Sequence, residues 1–423
     1  MEPWLFIPAI ICLMLGIPIA FGLAIGALSF LLAWGKIPLL VVPQRFFGAV
    51  DSFVLLSIPF FILAGELMNR TGITKGLVKF SDVLVGRIPG GLAQANIVAS
   101  IFFAGLTGAG VADTSALGSI LIPAMVEQGF EADYSAAVTA ASSVIGPIIP
   151  PSIIMVVFGS VMGMSIGALF AAGFIPGILI GIVLMILAYF MSKQRKHPYR
   201  QEKVTLKDFW QAFTEAIYSL FMPLIIIGGI FSGLFPPTEA AAIAVAYALI
   251  VGVFVFRTLT FADIMDSLAK SAITTSMILV IIGFANVFGL ERIPQALATT
   301  ILSFNLNRVT FLLVVNAFLL FMGMFMETGA NAILLGPILM PIAIQLGIEP
   351  LHFALVMLVN LNIGLITPPL GVCLFIAAPI ARISLGELSR AIFPFILMEV
   401  VALLLITFIP ELVLFVPRLL GYQ

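Results

Sequence analysis

Residues 105–152 read GLTGAGVADTSALGSILIPAMVEQGFEADYSAAVTAASSVIGPIIPPS, and residues 323–370 read GMFMETGANAILLGPILMPIAIQLGIEPLHFALVMLVNLNIGLITPPL. Aligned without a gap, at an offset of 218 positions, Gly118 falls on Gly336, Pro123 on Pro341, Gly129 on Gly347 and Glu131 on Glu349. Gly146 then meets Gly364, and Pro150-Pro151 meets Pro368-Pro369. Each copy is an apolar run interrupted twice, first by a Gly-rich polar stretch and again by Gly-x-x-x-Pro-Pro. Paired interruptions in corresponding positions of two halves point to a secondary transporter with its binding site at the repeat interface.

Composition sets the solvent. Of 423 residues, 62% are hydrophobic and only 9% charged, and the mean hydropathy is +1.23. A soluble domain carries about 25% charge, so the chain is an integral membrane protein, and the lipid bilayer is its surrounding partner. A net charge of −1 and the lack of a basic stripe with aromatics argue against nucleic acid. Cys12 and Cys373 sit far apart in apolar segments and read as two packed thiols, with no disulfide framework and no transition-metal site. The apolar stretch 4–34 lacks a basic leader and exceeds a cleaved signal, so it predicts one or two retained membrane segments, divided at Gly16 and Pro18 if there are two.

Spans of about 20 apolar residues cross a bilayer. They are predicted at 4–34, 51–69, 92–107, 168–191, 214–235, 238–256, 272–290, 308–326 and 391–416. Shorter pieces at 115–127, 134–146, 151–162, 332–346, 351–364 and 369–381 fit hairpin arms and halves of discontinuous helices. The linker 193–207, KQRKHPYRQEKVTLK, concentrates basic residues and belongs in the cytoplasm by the positive-inside rule. It is expected to be solvated and without a binding role, its His197 included. Residues 74–87 and 261–270 mix charged and apolar positions as amphipathic segments lying along the membrane surface. The expected organisation is scaffold helices with an amphipathic arm (1–91), a first transport repeat (92–191), the linker with further scaffold and a second arm (192–271), and a second transport repeat with a C-terminal helix (272–423).

Non-helical backbone at membrane depth is tolerated only where protein buries it or water reaches it. The first break offers Thr107, Gly108, Ala109, Gly110, Asp113, Thr114 and Ser115. Glycine lets carbonyls turn inward without a Cβ penalty. Each proline of the second break (Pro147, Pro150, Pro151) removes a donor and leaves an upstream carbonyl unpaired. Hydroxyls and carbonyls are hard oxygen ligands suited to an alkali cation. The candidate first cation site is therefore Gly108, Ala109, Gly110, Asp113, Thr114, Gly146, Pro147 and Pro150. The second repeat supplies Glu327, Thr328, Gly329, Asn331, Gly364, Thr367 and Pro368, with Asn331 standing where the first has Asp113. A charge at mid-membrane costs about 2.5–3.5 kcal/mol, which makes Asp113 an ion-site residue or else a cap on the half-helix that begins near Thr114.

No Lys or Arg falls within the breaks. An anionic substrate would be held by amides, hydroxyls and half-helix N-termini. Thr107, Ser115, Ser142, Pro151, Asn331, Asn362 and Pro369 are the candidate substrate residues, with Ser143 and Asn360 as further polar groups nearby. Elsewhere, Thr238 is expected to cap a helix beginning at the Pro236-Pro237 pair, with Glu239 in its first turn. Glu66 and Arg70 read as a helix-end pair. Neither HExxH nor GxSxG occurs, and no second aspartate pairs with Asp113, so no enzyme is indicated.

LIPAMVEQGF, IIPPSIIMVVFG, PPTEAAAIAVAYAL, GPILMPIAIQLGIEPLHF and NIGLITPPLGVCLF resemble the large membrane subunit (DctM-like) of tripartite ATP-independent periplasmic (TRAP) transporters, over nearly the whole chain. The resemblance implies an all-α polytopic fold of the elevator type, similar to the ion transporter superfamily. Such a fold has two inverted repeats, each with a re-entrant hairpin and a discontinuous helix. It implies sodium ions as coupling ions, no other cofactor, and uptake of a dicarboxylate, keto acid, sialic acid or sugar acid across a bacterial cytoplasmic (inner) membrane. It implies two protein partners, a small four-helix membrane subunit (DctQ-like) and a periplasmic substrate-binding protein (DctP-like). Carried onto this sequence, the hairpin tips fall at 107–115 and 327–331 and the breaks at 146–151 and 364–369. Members often carry a Ser-rich first tip; here Gly108-Ala109-Gly110 and Asp113 replace several hydroxyls, shifting weight to carbonyl ligands. A sodium–anion symporter working without a binding protein is the alternative the sequence leaves open.

Overall fold

The computed structural model describes residues 11–12, 15, 17, 19–34, 38–288 and 307–422. The Gly16–Pro18 division and the start of the 4–34 span lie outside them. Among the described residues all regular structure is helical: α1 (Ile19–Trp34), α2 (Val41–Val50), α3 (Ser57–Arg70), α4 (Ile73–Val85), α5 (Gly91–Thr107), α6 (Gly110–Glu127), α7 (Ala132–Ser142), α8 (Ile153–Met162), α9 (Ile166–Arg195) and α10 (Leu206–Phe231). The chain continues through α11 (Pro237–Ile250), α12 (Phe261–Phe288), α13 (Arg308–Gly323), α14 (Thr328–Gln345), α15 (Pro350–Gly364), α16 (Val372–Ala381), α17 (Leu385–Ala391), α18 (Phe393–Phe408) and α19 (Glu411–Leu419). Six of these helices are long and apolar enough to cross a membrane, or up to eight spans if each of two bent pairs counts as one. The protein is an all-α polytopic membrane protein.

The sequence repeat is also a repeat of elements. Moving α6 along by 218 positions gives the limits of α14, and the start of α7 falls on the start of α15. In each half two helices joined by a short tip (α5–α6, α13–α14), here called a hairpin, are followed by two shorter helices parted by a Gly- and Pro-bearing break (α7/α8, α15/α16). The hairpin arms are about 26 Å long at 1.5 Å per residue, short of the ~30 Å hydrocarbon core. The feet of the two hairpins lie at opposite ends of the 30-residue helix α9. Gly90, at the first hairpin's foot, packs on Ser192 near the end of α9. Glu349, at the second foot, shares a pocket with Tyr422, and Tyr422 packs on Gly167 at the start of α9.

Several elements differ from their sequence reading. The tip expected across 107–115 is only two residues, because Gly108 turns left-handed (φ +59) and Ala109 is extended, so the helix resumes at Gly110. Residues 261–270 are not a separate arm. They open the continuous 28-residue α12, because no Gly or Pro occurs before Gly283 to break it, and the domain limit drawn at 271/272 falls inside that helix. The 391–416 span bends by 59° between α18 and α19, where Pro410 cannot donate to the ladder. Arg70 does not pair with Glu66; it reaches Asp263 at 2.9 Å and also Asp266, stapling the end of α3 to the start of α12. Thr238 does not cap α11, since Pro237 itself takes the first helical position and Pro236 precedes it extended.

Helix α4, expected as the first amphipathic arm, is held mainly by aromatic packing. Phe80 is 6% exposed and its ring centroid lies 5.8–5.9 Å from those of Phe102, Phe209 and Phe213. Next to it, the Lys79–Glu215 ion pair, 2.6 Å long, is exposed on both sides. Phe80→Ala should lower stability by about 3 kcal/mol through loss of buried contacts, whereas Lys79→Ala should cost less than about 1 kcal/mol. Denaturant-induced unfolding of the purified protein in detergent measures both, and equal losses would contradict this ranking.

Candidate functional site

In the first half, tip and break are pressed together by backbone that leaves no room for side chains. A Cβ on Gly108 would lie 2.7 Å from the Pro151 carbonyl oxygen, and one on Gly110 would lie 2.9 Å from that of Ser143. Asp113, in the first turn of α6, is fully buried. One of its carboxylate oxygens accepts from the Thr107 hydroxyl on the other arm. The second, Oδ2, faces Gly146, where a Cβ would overlap it, and has no hydrogen-bond partner. Asp113 thus reaches from the tip to the break instead of capping α6. Thr114 fastens the same junction, its hydroxyl lying 2.9 Å from the Gly110 carbonyl oxygen and 2.7 Å from Ser143 Oγ. Beyond the break, Ser152 caps α8 and donates to the Pro147 carbonyl at 2.7 Å.

The second junction uses the same parts with different chemistry. A Cβ on Gly364 would fall 2.5 Å from the Gly323 backbone, so the end of α13 lies directly on the end of α15. Thr328 Oγ1 donates 3.1 Å to Asn362 Oδ1, and Asn331 Nδ2 donates back to the Met326 carbonyl at 3.1 Å. Asn331 Oδ1 and Asn362 Nδ2 are buried without partners. Thr367 bonds its own helix at Ile363. Glu327 and Pro369 are exposed, whereas 144–152 is buried throughout, so the second break is the open one. Pro150–Pro151 and Pro368–Pro369 are both cis.

The structure brings Thr107 to Thr114 together with Gly146 and Pro151, and Thr328 together with Asn362, while Asn331 bonds back within its own hairpin to the Met322 and Met326 carbonyls. It places Ser115 on an exposed face of α6. Ser142 lies within a buried network with Ser100 at 2.8 Å and Asn96 at 3.4 Å, and Asn360 bonds Asn316 at 2.8 Å. Three contributors were not read from the sequence. Leu365 comes within 3.5 Å of a Cβ position on Gly110, and Cys373 lies beside the Thr114 and Ser143 hydroxyls, so the second half packs on the first junction. Glu399, in the middle of α18, is fully buried with neither carboxyl oxygen partnered. A lone acid in the apolar run FPFILMEVVALLLITF was the signal available for it.

A buried polar atom left unpaired costs about 1–3 kcal/mol. Asp113 Oδ2 and Asn331 Oδ1 are such atoms, the first facing its break at Gly146 and the second in the first turn after its tip, each a hard oxygen that a cation or a donor would complete. The close backbone contact gives a direct check. Gly364→Ala should collapse stability, by about 3 kcal/mol or a failure to fold, because neither backbone can yield. Gly329→Ala has open space around its Cβ and should be neutral or stabilising by up to about 1 kcal/mol in melting experiments. A tolerated Gly364→Ala would mean that the second junction is loose.

Comparison with known proteins places the chain in a family. The model of the family "Tripartite ATP-independent periplasmic transporter, DctM component" matches residues 6–412. The chain is 40% identical over 407 residues to the isethionate TRAP transporter permease protein DctMQ of Oleidesulfovibrio alaskensis, covering 95% of this chain and 64% of that longer relative. It is 40% identical to the sialic acid TRAP transporter large permease protein SiaM of Vibrio cholerae, with 96% of both chains covered. It is 36% identical to the C4-dicarboxylate large permease protein DctM of Rhodobacter capsulatus, over 97% of this chain and 98% of that one. Among solved structures, the YdaH transporter of Alcanivorax borkumensis shares the fold with a TM-score of 0.60 at 15% identity, covering 86% of each chain. MtrF of Neisseria gonorrhoeae gives 0.57 at 15% identity, covering 86% of this chain and 82% of that one. The chain belongs to the DctM family of TRAP transporter large permeases, and is a multi-pass inner-membrane protein.

Proposed function

We propose that this DctM-family chain imports an organic anion coupled to sodium, working with a small membrane subunit and a periplasmic binding protein. The observation that carries this reading is the pair of hairpin tips, each followed in its first helical turn by a buried, unpartnered oxygen: Asp113 Oδ2 in the first and Asn331 Oδ1 in the second. Sodium takes hard oxygen ligands. At the first junction it would be held by Asp113 with carbonyls around Gly108, Ala109, Gly110 and 146–150, and at the second by Asn331 with carbonyls around 327–329 and 364–368. Ion binding would draw each tip onto its break, and the organised pair of tips would then present Thr107, Pro151, Asn331, Asn362 and Pro369 to the substrate. With no Lys or Arg in the breaks, the substrate's acid group would be met by amides and by the N-termini of α8 and α16.

The relatives carry names for isethionate, sialic acid and C4-dicarboxylates. The class proposed for this chain is accordingly a small carboxylate or sulfonate, with the choice among them made largely by the soluble partner. The feet of the two hairpins at opposite ends of α9 support inverted repeats and an elevator-type alternation of access. Each sodium carried in excess of the substrate's charge gains about 2.3 kcal/mol per 100 mV of inside-negative potential, so uptake would be electrogenic.

The test needs no substrate. Melting of the purified protein is titrated with sodium against potassium at constant ionic strength, since a ligand bound to the native state raises the midpoint. Saturable sodium-selective stabilisation is expected, with the half-effect concentration raised about tenfold or more, roughly 1.4 kcal/mol, in Asp113→Ala and Asn331→Ala. Equal responses to the two salts in the wild-type protein would remove sodium coupling from the proposal.

A further inference from the structure

The basic linker between the halves is not a free strand. After α9, Lys196 turns left-handed (φ +56) and sends His197 inward, where it is 5% exposed. Its ring lies 4.6 Å from the centroids of both Phe130 and Tyr134. Nε2 meets Glu131 Oε2 at 2.5 Å, and Nδ1 lies 3.2 Å from Ser192 Oγ, which is 3.2 Å from the Tyr134 hydroxyl. One arrangement of protons satisfies the whole chain: Tyr134 O–H donates to Ser192, Ser192 O–H to Nδ1, and Nε2–H to the Glu131 carboxylate. Arg195 closes the cluster, 5.5 Å from the centroid of the Tyr134 ring and 3.6 Å from Glu131.

The same linker then reaches the other foot of the hairpin. Tyr199 Cα lies 3.3 Å from the Cβ position of Gly91, and Gly90 has Ser192 Oγ only 2.2 Å from its own Cβ position. Gly90 and Gly91 therefore let the linker and α9 close on the start of α5. Arg200 completes the seat, donating its N–H to the Gly86 carbonyl at 2.8 Å and pairing with Asp82 at 3.1 Å. Both feet of the first hairpin, Gly90–Gly91 before α5 and Phe130–Glu131 after α6, are thus held by one short segment. At the far end the tip has no slack, because backbone meets backbone at Gly108 and Gly110.

We propose that His197 is a positioning residue for transport: by fixing the feet of the first hairpin it sets, through two stiff arms, how the tip seats on its break. The second hairpin has no such clamp among the described residues; its corresponding glutamate, Glu349, borders a pocket of about 440 Å³ with Arg418 and Tyr422. The inference rests on reading the tip–break junction as the working site, so its test reads tip position directly and not the ion response.

Partial burial works to raise the Glu131 pKa, but its own backbone amide, His197 and Arg195 outweigh this and hold it below the ordinary carboxylate value. The clamp's contribution is then present above that ordinary value and is lost as pH falls through the depressed one. Glu131→Gln at neutral pH imitates the acid state.

The probe is a thiol at the tip, Ala109→Cys in a Cys12→Ser background, Cys373 being fully buried. Its alkylation rate by a small maleimide is taken relative to a free thiol at the same pH. In His197→Ala and Glu131→Gln the rate should rise about tenfold at neutral pH, with melting still cooperative. His197→Gln, whose amide can still donate to Glu131, should stay within about threefold of the unaltered clamp. With a thiol-reactive disulfide used in acid, the unaltered clamp should loosen only below the ordinary range of a glutamate carboxyl, and the Glu131→Gln protein should show no such transition. Unchanged tip rates in both His197→Ala and Glu131→Gln would overturn the proposal, whether or not amide exchange at the feet quickens. A free-thiol rate at the introduced tip cysteine with the clamp intact would instead show that the tip is not seated, overturning the junction reading and the proposal together.

Discussion

Backbone that leaves the helix inside a bilayer has no water to bond with, so protein must cover it. Here each half solves that problem by laying a hairpin tip on a broken helix, and the rest of the fold exists to keep them in contact. The covering works only because side chains are missing where the backbones meet. At Gly108, Gly110, Gly146, Gly323 and Gly364 a Cβ would stand 2.0–3.1 Å from its nearest neighbour, and at all but Gly146 that neighbour is backbone. What those glycines cede in helix stability is offset by close packing between elements that no larger residue permits. The unpartnered oxygen of Asp113 sits in the first seam so formed, and that of Asn331 one turn beyond the second tip.

Much of this could be read in advance. The 218-position register located both breaks, and the Gly and Pro punctuation gave their limits to within a few residues, because those residues restrict backbone directly. What stayed hidden depends on contacts distant in sequence. Arg70 stood one turn from Glu66 and yet binds Asp263 and Asp266, because α12 starts beside the end of α3. His197 looked like part of a solvated loop, since nothing local announces that Phe130 and Tyr134 wait to enclose it. Ser142 read as a substrate group and lies in a network with Ser100 and Asn96, because a helix's own sequence does not say which neighbour its polar side chain faces. Within the site, position in the break was legible; the direction of each side chain was not.

The two halves are alike in backbone and unlike in chemistry. Asp113 is matched by Asn331, so one seam carries a carboxylate and the other an amide. The first break is buried throughout and the second is open at Pro369. One hairpin is clamped at its feet by the linker, while the other stands over a pocket. The halves also lean on one another: Leu365 approaches Gly110, and Cys373, whose N–H bonds the Leu365 carbonyl at 3.0 Å across the second break, lies beside Thr114 and Ser143. A change at one seam therefore has a short mechanical path to the other.

That arrangement also fixes an order of events during synthesis. Most contacts of the first seam lie between Thr107 and Ser152, so its tip can meet its break while the second half of the chain is still being made, as domains do when the N-terminal part leaves the ribosome first. The linker that seats its feet follows within 50 residues. The second seam is equally local, spanning Gly323 to Pro369. Leu365 and Cys373 reach the first seam from the second half, and that contact must wait for both halves. The molecule is thus two devices finished separately and fitted together last. A nascent chain halted in the linker would already own the first seam, short of the cover that Leu365 and Cys373 bring to it.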